Sequence, residues 1–438
     1  MVEVKIIGAG LAGCEAAYYL SRLGVKVKLY EMRPKKMTPA HKSGKFAELV
    51  CSNSLRSNSL DVASGVLKRE MELFDSLVIK AANHTQVEAG SALAVSREDF
   101  SSYITEVIKN CENIEVIYDE VLSIDLDQYT IIATGPLTSD SLCENIRKTF
   151  GLSDFYFFDA QAPIISYDSI NMDICYYKSR YDKGVASYIN CPMNEVEFMA
   201  FYNELINAKT AELHDFDKDL KVFEGCMPVE IMAKRGPQTL LFGPLKPRGL
   251  AKDKDHRPYA VVQLRQDDAQ KTLYNLVGFQ THLAFKEQKR VFSMIPGLEN
   301  AEFVKYGRMH KNTYINSPKL LNPTYQMKDY PKIFFAGQIT GVEGYVESAA
   351  SGIYAAINMY RLINNQELVV FPLETIMGSM ANYISSQHES FVPMNANFGI
   401  VKELELDKRC KKKDRKLLYG ERALNKMKEH IELCQIKK

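Results

Sequence analysis

The feature that most constrains the fold of this chain is a glycine-rich turn near its N-terminus. Residues 2–7, VEVKII, form a short apolar run typical of a buried strand, and residues 8–13, GAGLAG, follow it in the pattern G-x-G-x-x-G. Small and apolar residues then recur at helical spacing as far as Gly24, which ends the predicted helix. Residues 25–31, VKVKLYE, alternate as a second strand does, so the segment predicts a βαβ unit of a parallel sheet.

The glycines and the acid at the end of this unit indicate a dinucleotide site. Gly8 makes the tight turn, Gly10 lets a pyrophosphate approach the backbone, and Gly13 lets the helix pack closely on the strand. The helix N-terminus faces the phosphates, and a carboxylate at Glu31 suits a ribose 2′-hydroxyl while it repels a 2′-phosphate. The predicted nucleotide-binding residues are Gly8, Ala9, Gly10, Leu11, Ala12, Gly13 and Glu31.

Two later segments decide between FAD and NAD. Residues 129–142, YTIIATGPLTSDSL, indicate a strand that ends in Ala-Thr-Gly, and residues 332–359 indicate a strand, a glycine-rich loop and a helix of small residues. Together with the first unit they resemble flavoproteins of the glutathione-reductase type, in which the late glycine-rich loop places a helix N-terminus near the flavin. The resemblance implies FAD, with Gly135, Gly337 and Gln338 as further cofactor-binding residues.

The wide separation of the cofactor segments predicts an insertion between them. The intervening chain has its own strand and helix patterns, including a capping box in which Asn194 is the N-cap and Glu197 is the third helical residue. We therefore expect an α/β protein whose glutathione-reductase-type FAD-binding Rossmann domain carries an inserted α+β domain. The predicted division is 1–180 for the first part of the FAD-binding domain, 181–329 for the insertion, and 330–438 for the second part with a basic helical tail.

Composition places the chain among globular proteins, with 46% hydrophobic and 25% charged residues. No apolar run is long enough to cross a bilayer, and the chain starts directly with a predicted strand, so we expect a cytoplasmic protein without a signal peptide or membrane contact. The net charge is +1, but residues 408–428 contain ten Lys or Arg against two acids. This basic end suits contact with a polyanion, and a solvated helix face is the alternative.

The nine cysteines do not form a metal-binding or redox pattern. Their number is odd and no two stand in a C-x-x-C pair, which argues against a disulfide framework and a zinc site. Cys51 lies between an apolar run and small polar residues, while Cys226 lies in a turn bracketed by Gly225 and Pro228. Lys234 and Arg235 follow closely and favour a thiolate at position 226. The alternative for each thiol is a small buried apolar side chain.

Long segments across the whole chain resemble one enzyme family. The segments FAELVCSNSLRSN, CMPVEIMAKRG, PYAVVQLRQDDA and FFAGQITGVEGYVESAASG are similar to the folate- and FAD-dependent uracil-5 RNA methyltransferases, the TrmFO family. The resemblance implies that a methyl group is built on C5 of a uridine in structured RNA. It implies 5,10-methylenetetrahydrofolate as carbon donor and reduced FAD as electron donor, with NAD(P)H reducing the flavin.

The resemblance also implies two catalytic cysteines, which match Cys51 and Cys226. Because C5 of uracil is a poor nucleophile, a thiolate must add at C6 to activate it, and we assign this role to Cys226. Cys51 is assigned to the flavin side, as a general base or as a shield, and the reverse assignment of the two thiols stays open. The T-loop uridine of tRNA is the favoured target, and a uridine of 23S ribosomal RNA is the alternative.

Three other functions are compatible with parts of the pattern. A related FAD- and folate-dependent enzyme modifies the wobble uridine of tRNA, but it is substantially longer than this chain. A flavin oxidoreductase acting on a small molecule needs neither a folate nor two placed thiols. A non-catalytic RNA-binding flavoprotein is the remaining alternative, and methyl transfer from labelled folate separates it from the enzyme.

Overall fold

The computed structural model describes residues 2–151, 155–160, 162–211, 227–253, 256–307, 309–389, 391–405 and 412–437. The strands are β1 Glu3–Ile7, β2 Lys26–Glu31, β3 Ser54–Ser57, β4 Gln86–Val87, β5 Ala92–Val95, β6 Ile114–Tyr118, β7 Thr130–Ile132, β8 Phe155–Ala160, β9 Ile164–Ser166, β10 Tyr176–Tyr177, β11 Ile189–Met193, β12 Ala260–Gln266, β13 Leu273–Leu276, β14 Phe303–Lys305, β15 Met309–Tyr314 and β16 Ile333–Phe335. The α-helices are α1 Leu11–Arg22, α2 Ala63–Glu72, α3 Leu77–His84, α4 Arg97–Lys109, α5 Asp140–Phe150, α6 Glu195–Asn207, α7 Val229–Lys234, α8 Pro237–Phe242, α9 Phe285–Phe292, α10 Ser317–Leu320, α11 Tyr345–Ile363, α12 Ile376–Ser385 and α13 Lys412–Leu433.

The first sheet has five parallel strands in the order β16-β7-β1-β2-β6. The predicted unit β1-α1-β2 is present, and Gly24, with a φ of +77°, follows the end of α1. β1 lies between β2 and β7. The chain therefore adds β2 on one side of β1 first and adds β7 on the other side later. A crevice forms at such a switch point, at the carboxyl ends of the two strands.

The second sheet has six antiparallel strands in the order β10-β11-β12-β13-β9-β14. Helices α6 and α9 pack on it around the buried rings of Phe198, Phe201, Phe279 and Phe292, in a core separate from that of the first sheet. The predicted capping box at the start of α6 is confirmed, since the side chain of Asn194 accepts from the backbone N–H of the third helical residue. The chain between the cofactor segments therefore forms an α+β unit.

The predicted division of the chain at 180/181 and 329/330 stays a prediction. Strand β9, Ile164–Ser166, pairs with β13 and β14 of the second sheet. The chain therefore enters the second sheet before residue 181. Strand β14, Phe303–Lys305, is the last strand of that sheet along the chain.

The described part of the basic C-terminal segment is the helix α13. Tyr419, Ala423, Met427 and Ile431 are buried at four-residue spacing, so one face of the helix packs against the first unit, next to α2. Lys416, Lys426 and Lys428 of this helix are exposed. None of the helices in the described ranges is long and apolar enough to cross a lipid bilayer.

The close packing of α11 on α1 generates a stability prediction. A Cβ added at Gly352 would lie 2.2 Å from the carbonyl oxygen of Ala12, and backbone atoms cannot move away as a flexible side chain does. We expect Gly352→Ala to destabilise the apoprotein by about 2 kcal/mol or more, measured as the unfolding free energy in urea.

Gly10→Ala is the matched control, because no atom lies within 4 Å of the Cβ it would add. The unfolding free energy of its apoprotein is expected to lie within about 1 kcal/mol of that of the unaltered protein. Equal stability of the Gly352 variant and the control would contradict the packing argument.

Candidate active site

A cleft lies at the predicted switch point, at the carboxyl ends of β1 and β7, and has a volume of about 1000 Å³ with its open mouth included. Its walls include eight of the ten predicted cofactor-binding residues: Gly8, Gly10, Leu11, Ala12, Glu31, Gly135, Gly337 and Gln338. The other two lie behind the wall. Ala9 is fully buried, and Gly13 packs so closely on β1 that a Cβ there would lie 1.8 Å from the carbonyl oxygen of Gly8.

The glycine turn has the room that a pyrophosphate needs. Nothing lies within 4 Å of a Cβ built on Gly10, so the backbone there faces open space. No side chain caps the N-terminus of α1, and its first N–H groups therefore have no side-chain acceptor at this end. A pyrophosphate supplies such an acceptor, and the helix dipole favours its charge. The residues present thus fit the phosphates of a dinucleotide.

Glu31, at the end of β2, is held in place by an ion pair. Its carboxylate accepts from the backbone N–H of Ala9 at 3.0 Å and from Nε of Arg33 at 2.9 Å. Both charged side chains are almost fully buried. Burial alone would raise the pKa of Glu31, but the hydrogen bonds and charge of Arg33 outweigh it, so the pKa lies below its usual value. An ionised carboxylate therefore stands where the ribose of a dinucleotide is expected.

A second chamber of about 1080 Å³ adjoins the cleft. The two spaces share five wall residues: Val50, Pro136, Leu137, Gln338 and Tyr345. The sulfur-bearing residue Cys51 lies on the wall of this second chamber, next to Tyr345. A thiol-bearing residue therefore lines a space that adjoins the dinucleotide cleft.

Side chains from distant segments contact the residues around Cys51, which we call the cysteine loop (residues 49–53). The hydroxyl of Tyr345 accepts from the backbone N–H of Cys51 at 2.7 Å and from that of Ser52 at 3.1 Å. Arg265 donates to the Ser52 hydroxyl at 2.7 Å and to the side chain of Asn53 at 2.9 Å. Every one of these contacts joins residues more than 200 positions apart.

The Tyr345 phenol stays protonated in this setting. Burial raises its pKa, and the charge of an ionised Cys51 would raise it further. Since its oxygen accepts from two backbone N–H groups, the phenol proton is left to donate elsewhere in the site. Sequence analysis missed this residue, although it is the first residue of the predicted late helix.

Cys226 lies outside the described residues. The chain is described again from Met227, and the backbone N–H of Val229 donates to the carbonyl of Gln280 at 2.7 Å. Gln280 is itself a wall residue of the chamber that contains Cys51. None of the seven cysteines in the described ranges is in a disulfide.

Comparison with known proteins agrees with this arrangement. A family model described as glucose inhibited division protein A matches residues 3–367. A protein of Acholeplasma laidlawii named methylenetetrahydrofolate–tRNA-(uracil-5-)-methyltransferase TrmFO is 59% identical over 98% of this chain and 99% of its own length. Proteins of the same name from Listeria monocytogenes serotype 4b and Lactococcus lactis are 60% and 57% identical, each over 98% of this chain and at least 98% of their own.

The chain belongs to the TrmFO family. Its fold is also that of Aquifex aeolicus GidA, whose form II crystal structure gives a TM-score of 0.73 over 100% of this chain and 74% of that chain, at 16% identity. The predicted fold class, a glutathione-reductase-type FAD-binding Rossmann domain with an inserted α+β domain, is confirmed. For a TrmFO family member, the chamber beside the dinucleotide cleft is the candidate active site.

Glu31 generates a pH-dependent stability prediction. Because its folded pKa is depressed, its contribution is present above the unfolded pKa of about 4.3 and is lost as the pH falls through the lower folded value. Glu31→Gln leaves the buried Arg33 without its main partner and is expected to cost about 3 kcal/mol of unfolding free energy at pH 7. The difference should shrink below about pH 4.3 in urea unfolding curves.

Glu3→Gln is the control, because it removes an exposed ion pair with Lys28 on the same two strands. It should change the unfolding free energy by less than about 1 kcal/mol at either pH. A Glu31 variant as stable as this control at pH 7 would contradict the buried ion pair.

Gly10 generates a prediction about cofactor affinity. Its Cβ would enter the space that a pyrophosphate needs and would touch no protein atom. Gly10→Ala is therefore expected to weaken FAD binding at least about ten-fold, while the apoprotein keeps its stability. Fluorescence titration of the apoprotein with FAD measures this, and unchanged affinity would place the phosphates elsewhere.

Proposed function

We propose that this chain is an RNA methyltransferase that builds the methyl group of 5-methyluridine from 5,10-methylenetetrahydrofolate and reduced FAD. The observation that carries the proposal is the position of Cys51, on the wall of a chamber that shares five residues with the dinucleotide cleft. Membership of the TrmFO family supports it, since the relatives named above carry this activity in their names over nearly the whole chain.

The geometry of the two spaces suits the proposed reactants. The glycine turn and Glu31 would hold the nucleotide half of FAD, and the flavin would extend toward Gln338 and Tyr345, where the cleft meets the chamber. When bound, reduced FAD supplies the hydride that completes the methyl group, and NAD(P)H is the proposed source of its electrons. The chamber is proposed to receive the pteridine of the folate and the uracil base.

The proposed task of Cys226 is to activate the uracil ring. Its thiolate adds to C6, the electron pair of the C5–C6 bond moves toward the O4 carbonyl, and C5 becomes a nucleophile toward the methylene carbon of the folate. Loss of the C5 proton to a base then expels the folate nitrogen and leaves an exocyclic methylene group on C5. Addition of a hydride to that methylene carbon completes the methyl group and lets the thiolate leave as the C5–C6 double bond re-forms. Lys234 and Arg235, eight and nine residues further along the chain, favour the thiolate form.

The proposed task of Cys51 lies on the flavin side of the chamber. Its backbone is fixed by Tyr345 and by Arg97, which donates to its carbonyl at 3.0 Å, so its side chain has a defined starting point. A thiolate there accepts the C5 proton as a general base, or the sulfur shields the reacting carbon from water. The two cysteines can exchange roles without altering the balance of the reaction.

Transfer RNA is the proposed substrate. The family members named above are named as tRNA methyltransferases, which favours the T-loop uridine of tRNA over a uridine of 23S ribosomal RNA. The target base must leave its stack to reach the chamber. Exposed lysines of α13 and the partly buried Lys246 are candidate phosphate contacts.

Methyl transfer from methylene-labelled folate to unmodified RNA tests the proposal directly. The purified protein, FAD and NADPH are incubated with tRNA and, separately, with ribosomal RNA from a strain that lacks the protein. Label in 5-methyluridine of tRNA supports the proposal, label in ribosomal RNA alone moves the target, and label in neither overturns the enzymatic function.

The two cysteines give a prediction within this assay. Cys226→Ala should lower the rate by at least about 10⁴-fold, because it removes the thiol that is assigned to attack C6. Cys51→Ala should lower it by about 10² to 10⁴-fold, the usual contribution of a general base.

Cys111→Ala is the matched control, since this partly exposed thiol donates to the Val107 carbonyl at the end of α4 and lies on neither cavity wall. It should keep full activity. Full activity of the Cys226 variant would contradict the proposed mechanism even if the reaction itself is confirmed.

A further inference from the structure

The cysteine loop shows a feature that the proposed chemistry does not explain by itself. Three successive carbonyl groups in it accept hydrogen bonds from cationic side chains. Arg97 donates to the carbonyl of Leu49 at 2.6 Å and to that of Cys51 at 3.0 Å, and Lys305 donates to that of Val50 at 3.2 Å. Backbone carbonyls out of contact with water require partners, but helix and strand ladders usually provide them. Here the partners are charged groups from distant segments.

We propose that Arg97, Asp267 and Lys305 are positioning residues that fix the cysteine loop for the reaction. The expected effect on turnover rests on the proposed function. The expected effect on the geometry of the loop rests on the contacts alone. None of the three side chains is on the wall of either cavity, so they act through the loop and not on a reactant.

The three residues connect the two units of the fold. Arg97 is the first residue of α4 in the first unit, while Asp267 follows β12 and Lys305 ends β14 in the second sheet. Both carboxylate oxygens of Asp267 accept from Nε of Arg97, at 2.8 and 3.0 Å, and Asp267 is almost fully buried. Since charge-assisted bonds are stronger and more directional than neutral ones, the second sheet determines where the loop lies over the cofactor cleft.

The charge of Lys305 depends on pH in the working range. Burial lowers its pKa to about 8, the cations Arg97 and Lys42 lower it as well, and the anionic forms of Asp267 and Cys51 oppose this shift. Lys305 is therefore charged at pH 7 and neutral at pH 9. Once neutral it still donates to the Val50 carbonyl, but through an ordinary hydrogen bond of about half the strength.

The test compares Lys305→Met with Lys305→Arg, which keeps the charge. Lys328→Met is the matched control, because Lys328 donates to the carbonyl of Pro318 at 2.7 Å in the same way and lies on neither cavity wall. Two quantities are measured on the FAD-loaded protein at pH 7 and pH 9. They are the rate of Cys51 alkylation by iodoacetamide, followed on its peptide by mass spectrometry, and kcat and KM for RNA methylation.

At pH 7 we expect Lys305→Met to change the alkylation rate of Cys51 by more than about three-fold and to lower kcat about ten-fold, as the loss of one charged hydrogen bond implies. KM for RNA should stay within about two-fold, because no RNA contact is removed. For both the alkylation rate and kcat, the difference between the unaltered protein and the variant should become smaller at pH 9. Lys305→Arg should restore both at pH 7, and Lys328→Met should change neither.

Two results would overturn the inference. The first is an alkylation rate and a kcat of Lys305→Met that equal those of the unaltered protein. The second is a ratio of unaltered protein to variant that does not change with pH, because this would mean that Lys305 acts through packing and not through its charge. Asp267→Asn, which removes the charge that holds Arg97, is the second variant, and it should change Cys51 alkylation in the same direction. Because alkylation does not require methyl transfer, it decides the inference even if the proposed function fails.

Discussion

The close approach of backbone segments around α1 is the constraint on which the site depends. Gly13 lets α1 meet the carbonyl of Gly8, and Gly352 lets α11 meet the carbonyl of Ala12, each at a distance that a Cβ would prevent. This packing places the N-terminus of α1 and the turn of Gly337 on the same cleft. A cofactor that spans the cleft therefore contacts parts of the chain more than 300 residues apart, and its binding connects them.

The cysteine loop is the second point at which distant segments meet. The hydroxyl of Tyr345, on α11, accepts from N–H groups of the loop. Cationic side chains of α4 and of the second sheet donate to carbonyl groups of the loop. Residues of the second sheet therefore hold a segment of the first unit. This two-domain architecture suits the proposed reaction, in which a thiol, a flavin and a base would meet within a few ångströms.

Local sequence patterns predicted the parts of the structure that local physics determines. The strand, glycine turn and helix at residues 2–24 and the cap at Asn194 depend on neighbours within a few positions, and both were predicted correctly. The cleft could be placed because parallel strands bring glycine loops to one edge. The surroundings of Cys51 could not, because Tyr345 is 294 positions away and no periodicity connects the two residues.

The same limit applies to buried charges in the scaffold. The carboxylate of Glu70 accepts from the first N–H groups of α12, 306 and 307 positions further along the chain, and thus adds to the local cap that Thr375 provides. A glutamate in an amphipathic helix gives no sign of this role in the sequence. Cys226, by contrast, was predicted from the residues around it and from family resemblance, and its role remains a proposal.

The central claim is that a thiol of this chain adds to C6 of a uridine held beside the flavin. Incubation of the FAD-loaded protein with methylenetetrahydrofolate and tRNA that contains 5-fluorouridine tests it, because fluorine at C5 cannot leave as a proton and the covalent complex persists. Peptide mapping of the complex by mass spectrometry should locate the cross-linked nucleotide on Cys226. A complex through a residue other than Cys226 or Cys51, or no covalent complex, would contradict the account.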